Sequence, residues 1–303
     1  MSLDPDIVLE IATELGVDPA FVEKDWYSVQ ALSLIADFSP QSITTIFSGG
    51  TSLSKGYGIL QRFSEDLDFR CRYEIETSSN QLRKIRSEYR TELIKKISSC
   101  DFVSLDESDI AKASNYIKFP LSYEEKQFEH ASLRAGLQVE FSFTQPRLEP
   151  EIREIQSFLS QFTNGPAETK ILCLSPVETA SDKLSALTWR VLKRDRSDKN
   201  DDPAMIRHLH DLCALKTTVD KNKGLFIDTA ESAFETDQKT GKRYTEDGFV
   251  ESIKSAIVLL GQDDEYRREY AHFVEAMSYA DDEDNIGFDE AKANVEELVS
   301  YFS

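Results

Sequence analysis

Two carboxylates lie close together near the end of the segment FSGGTSLSKGYGILQRFSEDLDF, which spans residues 47–69. Asp66 and Asp68 are two residues apart in DLDFRCR, where polar and apolar residues alternate strictly. Because this alternation predicts a half-buried β-strand, both carboxylates should project from one face, roughly 7 Å apart at their backbones. Hard oxygen donors at that spacing suit Mg²⁺ or Mn²⁺, which can clamp the reacting oxygens of a phosphoryl or nucleotidyl transfer. We therefore predict that Asp66 and Asp68 are metal ligands.

A third carboxylate, Glu140, lies on the polar face of GLQVEFSF, a second segment with strict alternation. Its apolar face is formed by Leu137, Val139, Phe141 and Phe143. If this predicted strand pairs beside the first, Glu140 can join Asp66 and Asp68 as a metal ligand. The assignment of Glu140 rests on strand alternation alone.

The glycine pair that precedes the carboxylates predicts a phosphate site. Gly49 and Gly50 have no side chains, so a phosphate can approach their backbone closely. We predict a helix with Thr51 or Ser52 as its N-cap, which would direct free N–H groups at that phosphate, and Lys55 adds a cation one turn later. The segment is neither a Walker A loop nor a dinucleotide fingerprint, since GxxxxGK[ST] and GxGxxG are absent.

The elements that position these residues change in type near residue 175. Before it, the patterns predict a helix over 18–38, a buried strand at ITTIF, the two alternating strands, a helix over 79–98 and a strand at KILCLS. After it, SPVETASDKLSALTWRVLK, DPAMIRHLHDLCALK and three later segments show helical periodicity, without a convincing strand. We predict an α+β protein, with a mixed sheet and flanking helices in domain 1–175 and an all-helical domain over 176–303.

The composition of the 303-residue chain argues against several classes of protein. No apolar run approaches the roughly 20 residues of a membrane span, and MSLDPDIVLE lacks the features of a secretory signal. The four cysteines form no CxxC pair, which argues against a zinc ribbon or a disulfide framework. These features favour a reduced, cytoplasmic setting and no membrane partner.

The net charge of -20 bears on the choice of substrate, because the average field of such a chain repels nucleic acid. A polynucleotide would therefore need a local basic patch, for which LRKIRSEYRTELIKK and RVLKRDRSDK are the candidates. The alternative interpretation of both is a solvated helix face and a charged loop.

The order of strand, Gly-Gly, helix and DxD strand resembles the polymerase-β-like nucleotidyltransferase superfamily. More narrowly, the segment is similar to the AbiEii/AbiGii nucleotidyltransferase toxins of abortive-infection and type IV toxin–antitoxin systems, whose pattern is GGTxLxK followed by RxSxDLDF. The matching positions are Gly49, Gly50, Thr51, Leu53, Lys55, Arg62, Ser64, Asp66, Leu67, Asp68 and Phe69. Through this match Arg62 joins Gly49, Gly50, Thr51, Ser52 and Lys55 as a predicted nucleotide-binding residue.

Two later motifs extend the resemblance to about residue 215. SPVETASDKLSAL is similar to the third motif of the family, whose lysine falls on Lys183, and RHLHDL to the fourth, whose aspartate falls on Asp211. Lys183 can reach a triphosphate as a point charge, and Asp211 can orient the acceptor hydroxyl, take its proton or hold Lys183. His208 and His210 stand where the family commonly has aspartate and tyrosine, and the charged insert KRDRSDKNDDP separates the two motifs.

The resemblance implies an Mg²⁺-dependent enzyme that moves NMP from an NTP to a hydroxyl acceptor, with Asp66, Asp68, Lys183 and Asp211 as its catalytic residues. It also implies an RNA acceptor, tRNA above all, and a toxin with a cognate antitoxin. If RNA is the acceptor, the basic loop with Lys193, Arg194, Arg196 and Lys199 is predicted to bind its phosphates.

Two alternatives remain open at this point. The first is transfer to a protein or small molecule, which the acidic net charge favours. The second is a catalytically silent NTP-binding module, against which the intact set of Asp66, Asp68, Lys183 and Asp211 argues.

Overall fold

The computed structural model describes residues 3–38, 40, 42–74, 77–123, 126–131, 133–239, 245–281 and 284–302. Contacts between its residues divide the chain into two units. The first unit comprises Met1–Gly58 and Phe63–Leu174, and the second comprises Ile59–Arg62 and Ser175–Ser303. The short segment Ile59–Arg62 therefore belongs to the helical unit, although the residues on both sides of it belong to the first.

The described strands of the first unit form one seven-stranded mixed sheet. They are β1 Thr44–Ser48, β2 Asp66–Arg72, β3 Ala111–Ala113, β4 Tyr116–Leu121, β5 Leu137–Ser142, β6 Glu151–Ile155 and β7 Thr169–Cys173. Their order across the sheet is β3-β4-β5-β2-β1-β7-β6. β2 is parallel to β5 and β1 to β7, whereas the other neighbouring pairs are antiparallel. This sheet confirms the predicted fold class.

The two alternating segments form adjacent strands, β2 and β5, each with one fully buried face. Leu67 and Phe69 of β2 are buried beside Val139 and Phe141 of β5, and the rings of Phe69 and Phe141 stack 4.7 Å apart. Burial of this apolar row fixes the register, because a slip by one residue would turn it to the opposite face. The polar residues of β2 and β5 consequently share the other, partly exposed face.

The helices of the first unit are α1 Pro5–Leu15, α2 Pro19–Ala36, α3 Gly49–Lys55, α4 Ser79–Ser98 and α5 Phe158–Phe162. Asp4 and Asp18 cap α1 and α2, and Ser78 forms a capping box with Gln81 at the start of α4. The predicted N-cap at Thr51 or Ser52 is wrong, because α3 already begins at Gly49, directly after β1.

The second unit is helical from Ser175 onward. Its helices are α6 Pro176–Leu192, α7 Arg207–Lys221, α8 Lys223–Gln238, α9 Phe249–Gln262, α10 Asp264–Met277 and α11 Phe288–Val299. α6 packs against α7, α8 and α9. A 3-10 turn, Pro203–Ile206, precedes α7, so the predicted helix at DPAMIRHLHDLCALK begins later than its proline suggests.

The segment Ile59–Arg62 is attached to the helical unit through its backbone. Arg62 forms a bridge with Ser278, and the Tyr279 amide donates to the Gln61 carbonyl over 3.1 Å. Apart from this bridge, the described residues after Ser175 contain no strand. Within the described ranges, none of the helices has both the length and the hydropathy needed to cross a membrane.

Candidate active site

The predicted metal ligands of the first unit lie side by side on the partly exposed face of the sheet. Asp68 pairs in register with Glu140 on β5, and Asp66 pairs with Gln138. Glu140 also faces Lys118 of β4, whose Nζ lies 3.5 Å from its carboxylate. In the part of the chain that the structure describes, no three His, Cys, Asp or Glu side chains are grouped closely enough to hold a metal ion. Metal binding by Glu140 therefore stays a prediction. Its register with Asp68 supports it, and its ion pair with Lys118 opposes it.

Gly49 makes room for the Asp68 carboxylate. Its φ of 75° lies in the left-handed region, which favours glycine, and a Cβ atom at this position would lie 2.3 Å from Oδ2 of Asp68. A side chain on Gly49 would therefore strain the backbone and displace the carboxylate. The structure thus gives Gly49 a role beside Asp68, and its predicted contact with a phosphate stays a prediction.

The helix α3 is tied to the strand that carries the carboxylates. The Thr51 hydroxyl donates a hydrogen bond of 2.6 Å to the main-chain carbonyl of Asp66. Gly50, Thr51 and Ser52 are buried, so the segment GGTS is packed within the first unit. This packing fixes the backbone between Gly49 and the start of β2.

Lys55, at the end of α3, pairs with a buried carboxylate of α2. Its Nζ forms an ion pair with Asp25 and lies 3.7 Å from the centre of the Phe158 ring. The Phe158 amide donates to Asp25 over 2.7 Å. Burial raises the pKa of Asp25, and Lys55 and the Phe158 amide oppose this rise. Lys55 thus neutralises a carboxylate that is otherwise costly to bury.

The predicted residues of the second unit form a buried cluster around Asp211. Arg62 binds this carboxylate with two hydrogen bonds, Nε to Oδ1 at 2.7 Å and a terminal nitrogen to Oδ2 at 2.6 Å. Lys183 Nζ donates to Oδ2 at 2.6 Å. Burial acts to raise the pKa of Asp211, but Arg62 and Lys183 outweigh it and hold this pKa well below its usual range. Burial lowers the pKa of Lys183, and the charge of Asp211 opposes this change.

The two histidines of α7 have different surroundings. His210 lies 3.4 Å from Asp211 through Nδ1 and packs edge-on against Phe273. Burial, together with the charges of Lys183 and neighbouring arginines, holds the pKa of His208 well below its usual range. His208 is therefore neutral in the folded unit.

Three charged residues near Asp66 escaped the sequence analysis. Lys24 is buried and donates to Glu65, and Glu65 in turn accepts the Arg134 amide at 2.8 Å. The Arg134 guanidinium lies 3.3 Å from Oδ1 of Asp66. A signal was present, because the run Glu23, Lys24, Asp25 lies within an otherwise apolar helix and all three are buried. Such charges require partners elsewhere in the fold.

The basic loop between α6 and α7 is largely paired with its own unit. Arg194 binds both Asp201 and Glu269, and its side chain is only 5% exposed. Arg196 forms an ion pair with Asp263. These contacts satisfy two of the four predicted RNA-binding cations, whereas Lys193 and Lys199 are exposed.

Comparison with known proteins relates the chain to nucleotidyltransferase toxins. The family model described as nucleotidyl transferase AbiEii toxin, type IV TA system, matches residues 30–294. Among solved structures, the chain is similar to MenT4, a nucleotidyltransferase toxin from Mycobacterium tuberculosis H37Rv. The TM-score is 0.70 at 17% identity, over 99% of this chain and 89% of that one. At this identity the likeness shows the fold alone. The curated proteins contain no match to the sequence.

Proposed function

The chain belongs to the AbiEii family of nucleotidyltransferase toxins of type IV toxin–antitoxin systems, and on that premise we propose that it transfers NMP from an NTP to RNA in an Mg²⁺-dependent reaction. The observation that carries the proposal is the carboxylate pair Asp66 and Asp68 on one face of β2, with Gly49 packed against Asp68. We further propose tRNA as the RNA, the cytoplasm as the compartment and an antitoxin as the protein partner.

The donor set fits Mg²⁺ or Mn²⁺. Asp66 and Asp68 offer hard oxygen ligands, and one or two protein carboxylates are enough when water and triphosphate oxygens fill the other positions. When bound, the metal neutralises charge on the attacking and leaving oxygens. Glu140 is the candidate third ligand, through its register with Asp68.

We assign charge stabilisation of the triphosphate to Lys183 and Arg62. Their fixed positions on Asp211 support this role, because preorganised cations lower the energy of a transition state in which phosphate charge develops. Asp211 holds both cations in place, and its ionised state suits that task. The sequence left three roles open for Asp211: orienting the acceptor hydroxyl, taking its proton or holding Lys183. The contacts of Asp211 favour the third role.

The remaining predicted nucleotide-binding residues, Gly49, Gly50, Thr51, Ser52 and Lys55, are assigned to shaping the segment beside the metal ligands. Their burial and their bonds to the first unit support this assignment. A protein or small-molecule acceptor is the second candidate, favoured by the net charge of -20.

Labelled nucleotides test the proposed reaction. The purified protein is incubated with each labelled NTP and Mg²⁺, with purified total RNA in one series and RNase-treated lysate in the other. We expect label in RNA with the wild type and loss of it, by at least about 100-fold, in Asp66→Asn and Asp68→Asn. EDTA should stop the reaction and added Mg²⁺ or Mn²⁺ restore it.

The controls separate the alternatives. Glu74→Gln, at a glutamate of the loop that follows β2, serves as the matched carboxylate variant and should retain activity. Label that enters only protein or small molecules would refute the RNA acceptor. Full activity in both aspartate variants would refute the metal site.

A further inference from the structure

The loop that leads into β5 brings an arginine to the predicted metal ligand Asp66. The Arg134 guanidinium lies 3.3 Å from Oδ1 of Asp66, and the two side chains are 57% and 30% exposed. We propose that Arg134 is a nucleotide-binding residue, which leaves Asp66 when the metal and NTP arrive and then binds the triphosphate. This proposal rests on the nucleotidyltransferase function proposed above.

The backbone of Arg134 is fixed by charged groups on both sides. Its amide donates to Glu65 at 2.8 Å, and its carbonyl accepts from Lys24 Nζ at 2.8 Å. Lys24 and Glu65 form an ion pair whose side chains are 5% and 13% exposed. Glu65 directly precedes Asp66, so this buried pair attaches the loop to the beginning of β2.

A glycine fixes the other end of the loop. Gly136 has a φ of 69°, and a Cβ atom there would lie 2.2 Å from the Leu121 carbonyl oxygen. The Arg134 backbone is thereby held at its own amide and carbonyl and lies two residues before the closely packed Gly136, while its side chain remains more than half exposed. Preorganised backbone with an exposed charged end is a suitable arrangement for capturing a ligand.

Arg134 has two possible partners, the Asp66 carboxylate and the triphosphate, and their chemistry favours a change from the first to the second. A half-exposed ion pair between arginine and a carboxylate contributes little, because solvent screens it. Phosphate oxygens match the planar guanidinium with two parallel hydrogen bonds, and this charge-assisted contact is stronger. A metal ion on Asp66 competes with Arg134 for the same carboxylate. Arg134 should therefore weaken metal binding without nucleotide and strengthen NTP binding.

The opposite effects expected of Arg134 on metal affinity and on NTP affinity give a test that does not depend on catalysis. Mn²⁺ affinity without nucleotide is measured by electron paramagnetic resonance of the free ion, and the affinities of four non-hydrolysable NTP analogues are measured by calorimetry in Mg²⁺. For Arg134→Ala we expect Mn²⁺ to bind more tightly by a factor of up to about five, and the NTP analogue more weakly by about tenfold or more. Affinity for the matching NMP should not change.

Two further variants control the experiment. Arg134→Lys keeps the positive charge but lacks the planar guanidinium that can form two parallel hydrogen bonds. The NTP affinity of this variant should therefore lie between those of the wild type and Arg134→Ala. Arg72→Ala removes another arginine of this sheet, which pairs with Glu149 at 2.8 Å, and should alter neither affinity.

The outcomes distinguish the two proposals. The proposed exchange of Arg134 from Asp66 to the triphosphate is refuted by either of two results. In the first, Arg134→Ala has the same Mn²⁺ and NTP-analogue affinities as Arg72→Ala; in the second, Arg134→Ala lowers both affinities. If the wild type binds no NTP analogue, the proposed nucleotide chemistry fails along with it. If NTP binding shifts as expected but RNA is not labelled, only the proposed acceptor fails.

Discussion

Individual residues of the GGTSLSK segment stabilise the protein through contacts with its own groups. Gly49 accommodates the Asp68 carboxylate, Thr51 bonds the Asp66 carbonyl, and Lys55 neutralises Asp25. Residue types alone indicated phosphate contacts at these positions, because a glycine pair and a lysine look the same whether they face a phosphate or a protein group. The structure supplies the missing information, which is the identity of the groups around them.

A substitution of Lys55 should therefore affect stability first. Lys55→Met leaves Asp25 buried without its counter-charge, and loss of one partner of a buried ion pair costs about 3–5 kcal/mol. We expect a decrease of this size in the free energy of unfolding, measured by urea denaturation. Lys170→Met, at a mostly exposed lysine of β7 that pairs with Glu154, is the control and should change it by less than about 1 kcal/mol.

A second substitution separates a positioning role from contact with a phosphate. Asp25→Asn combined with Lys55→Met removes the uncompensated charge, and the asparagine oxygen can still accept the Phe158 amide. If Lys55 only positions α3, the double variant should regain most of both stability and NTP affinity. Recovery of stability with persistent loss of NTP affinity would instead identify Lys55 as a phosphate ligand.

At the scale of elements, the sequence predicted some of those with a clear local signal and missed others. Strict alternation placed β2 and β5 close to their observed limits, and the predicted helix over 79–98 coincides with α4. β3 and β6 were missed, because their residues are mostly exposed and leave no apolar pattern. β4 was missed although its burial alternates, since it contains Pro120, which is unfavourable within a strand. α1 was missed although Asp4, Pro5 and Gly16 mark its ends.

The side-chain clusters lay beyond sequence reasoning for a different reason. Arg62 and Asp211 are separated by 149 positions, and nothing local in either segment specifies the other. The resemblance identified both residues as candidates, but their mutual contact comes only from the packing of Ile59–Arg62 within the helical unit. The same holds for Lys24 and Arg134, which are 110 positions apart.

His208 of α7 predicts how the stability of the protein depends on pH. His208 is neutral when folded, because burial and the nearby cations depress its pKa, but it binds a proton below about pH 6.5 when unfolded. The unfolded state then holds more protons, so the free energy of unfolding falls with decreasing pH, by at most about 1.4 kcal/mol per unit. Urea denaturation at about pH 7, 6 and 5 measures this slope.

Two histidine variants assign the slope to its source. His208→Gln removes the titrating group and should flatten the dependence between about pH 6.5 and 5. His272→Gln replaces an exposed histidine of α10 and should leave the slope as in the wild type. An unchanged slope in His208→Gln would show that another group carries the dependence.

At the scale of the whole chain, the acidic charge limits where RNA can bind. Several cations of both basic stretches are engaged in the structure: Arg86 and Arg90 of α4 donate to backbone carbonyls, and Arg194 and Arg196 bind carboxylates. Counting cations in the sequence therefore overstates the charge available to a phosphate backbone. The exposed lysines Lys193 and Lys199 are the cations of the α6–α7 loop that remain suited to this role.

Replacing these two lysines tests whether the loop binds RNA. Each phosphate contact contributes about 0.7–0.9 to the slope of log K against log salt, so Lys193→Ser with Lys199→Ser should lower the magnitude of the slope by about 1.4–1.8. RNA affinity should fall at low salt, while affinity for the NTP analogue stays at the wild-type value. Arg194→Ser is the contrasting variant, because it leaves Asp201 and Glu269 without their shared partner and should lower stability instead. An unchanged salt slope in the lysine variant would exclude this loop as the RNA contact, and together with unlabelled RNA it would favour a protein or small-molecule acceptor.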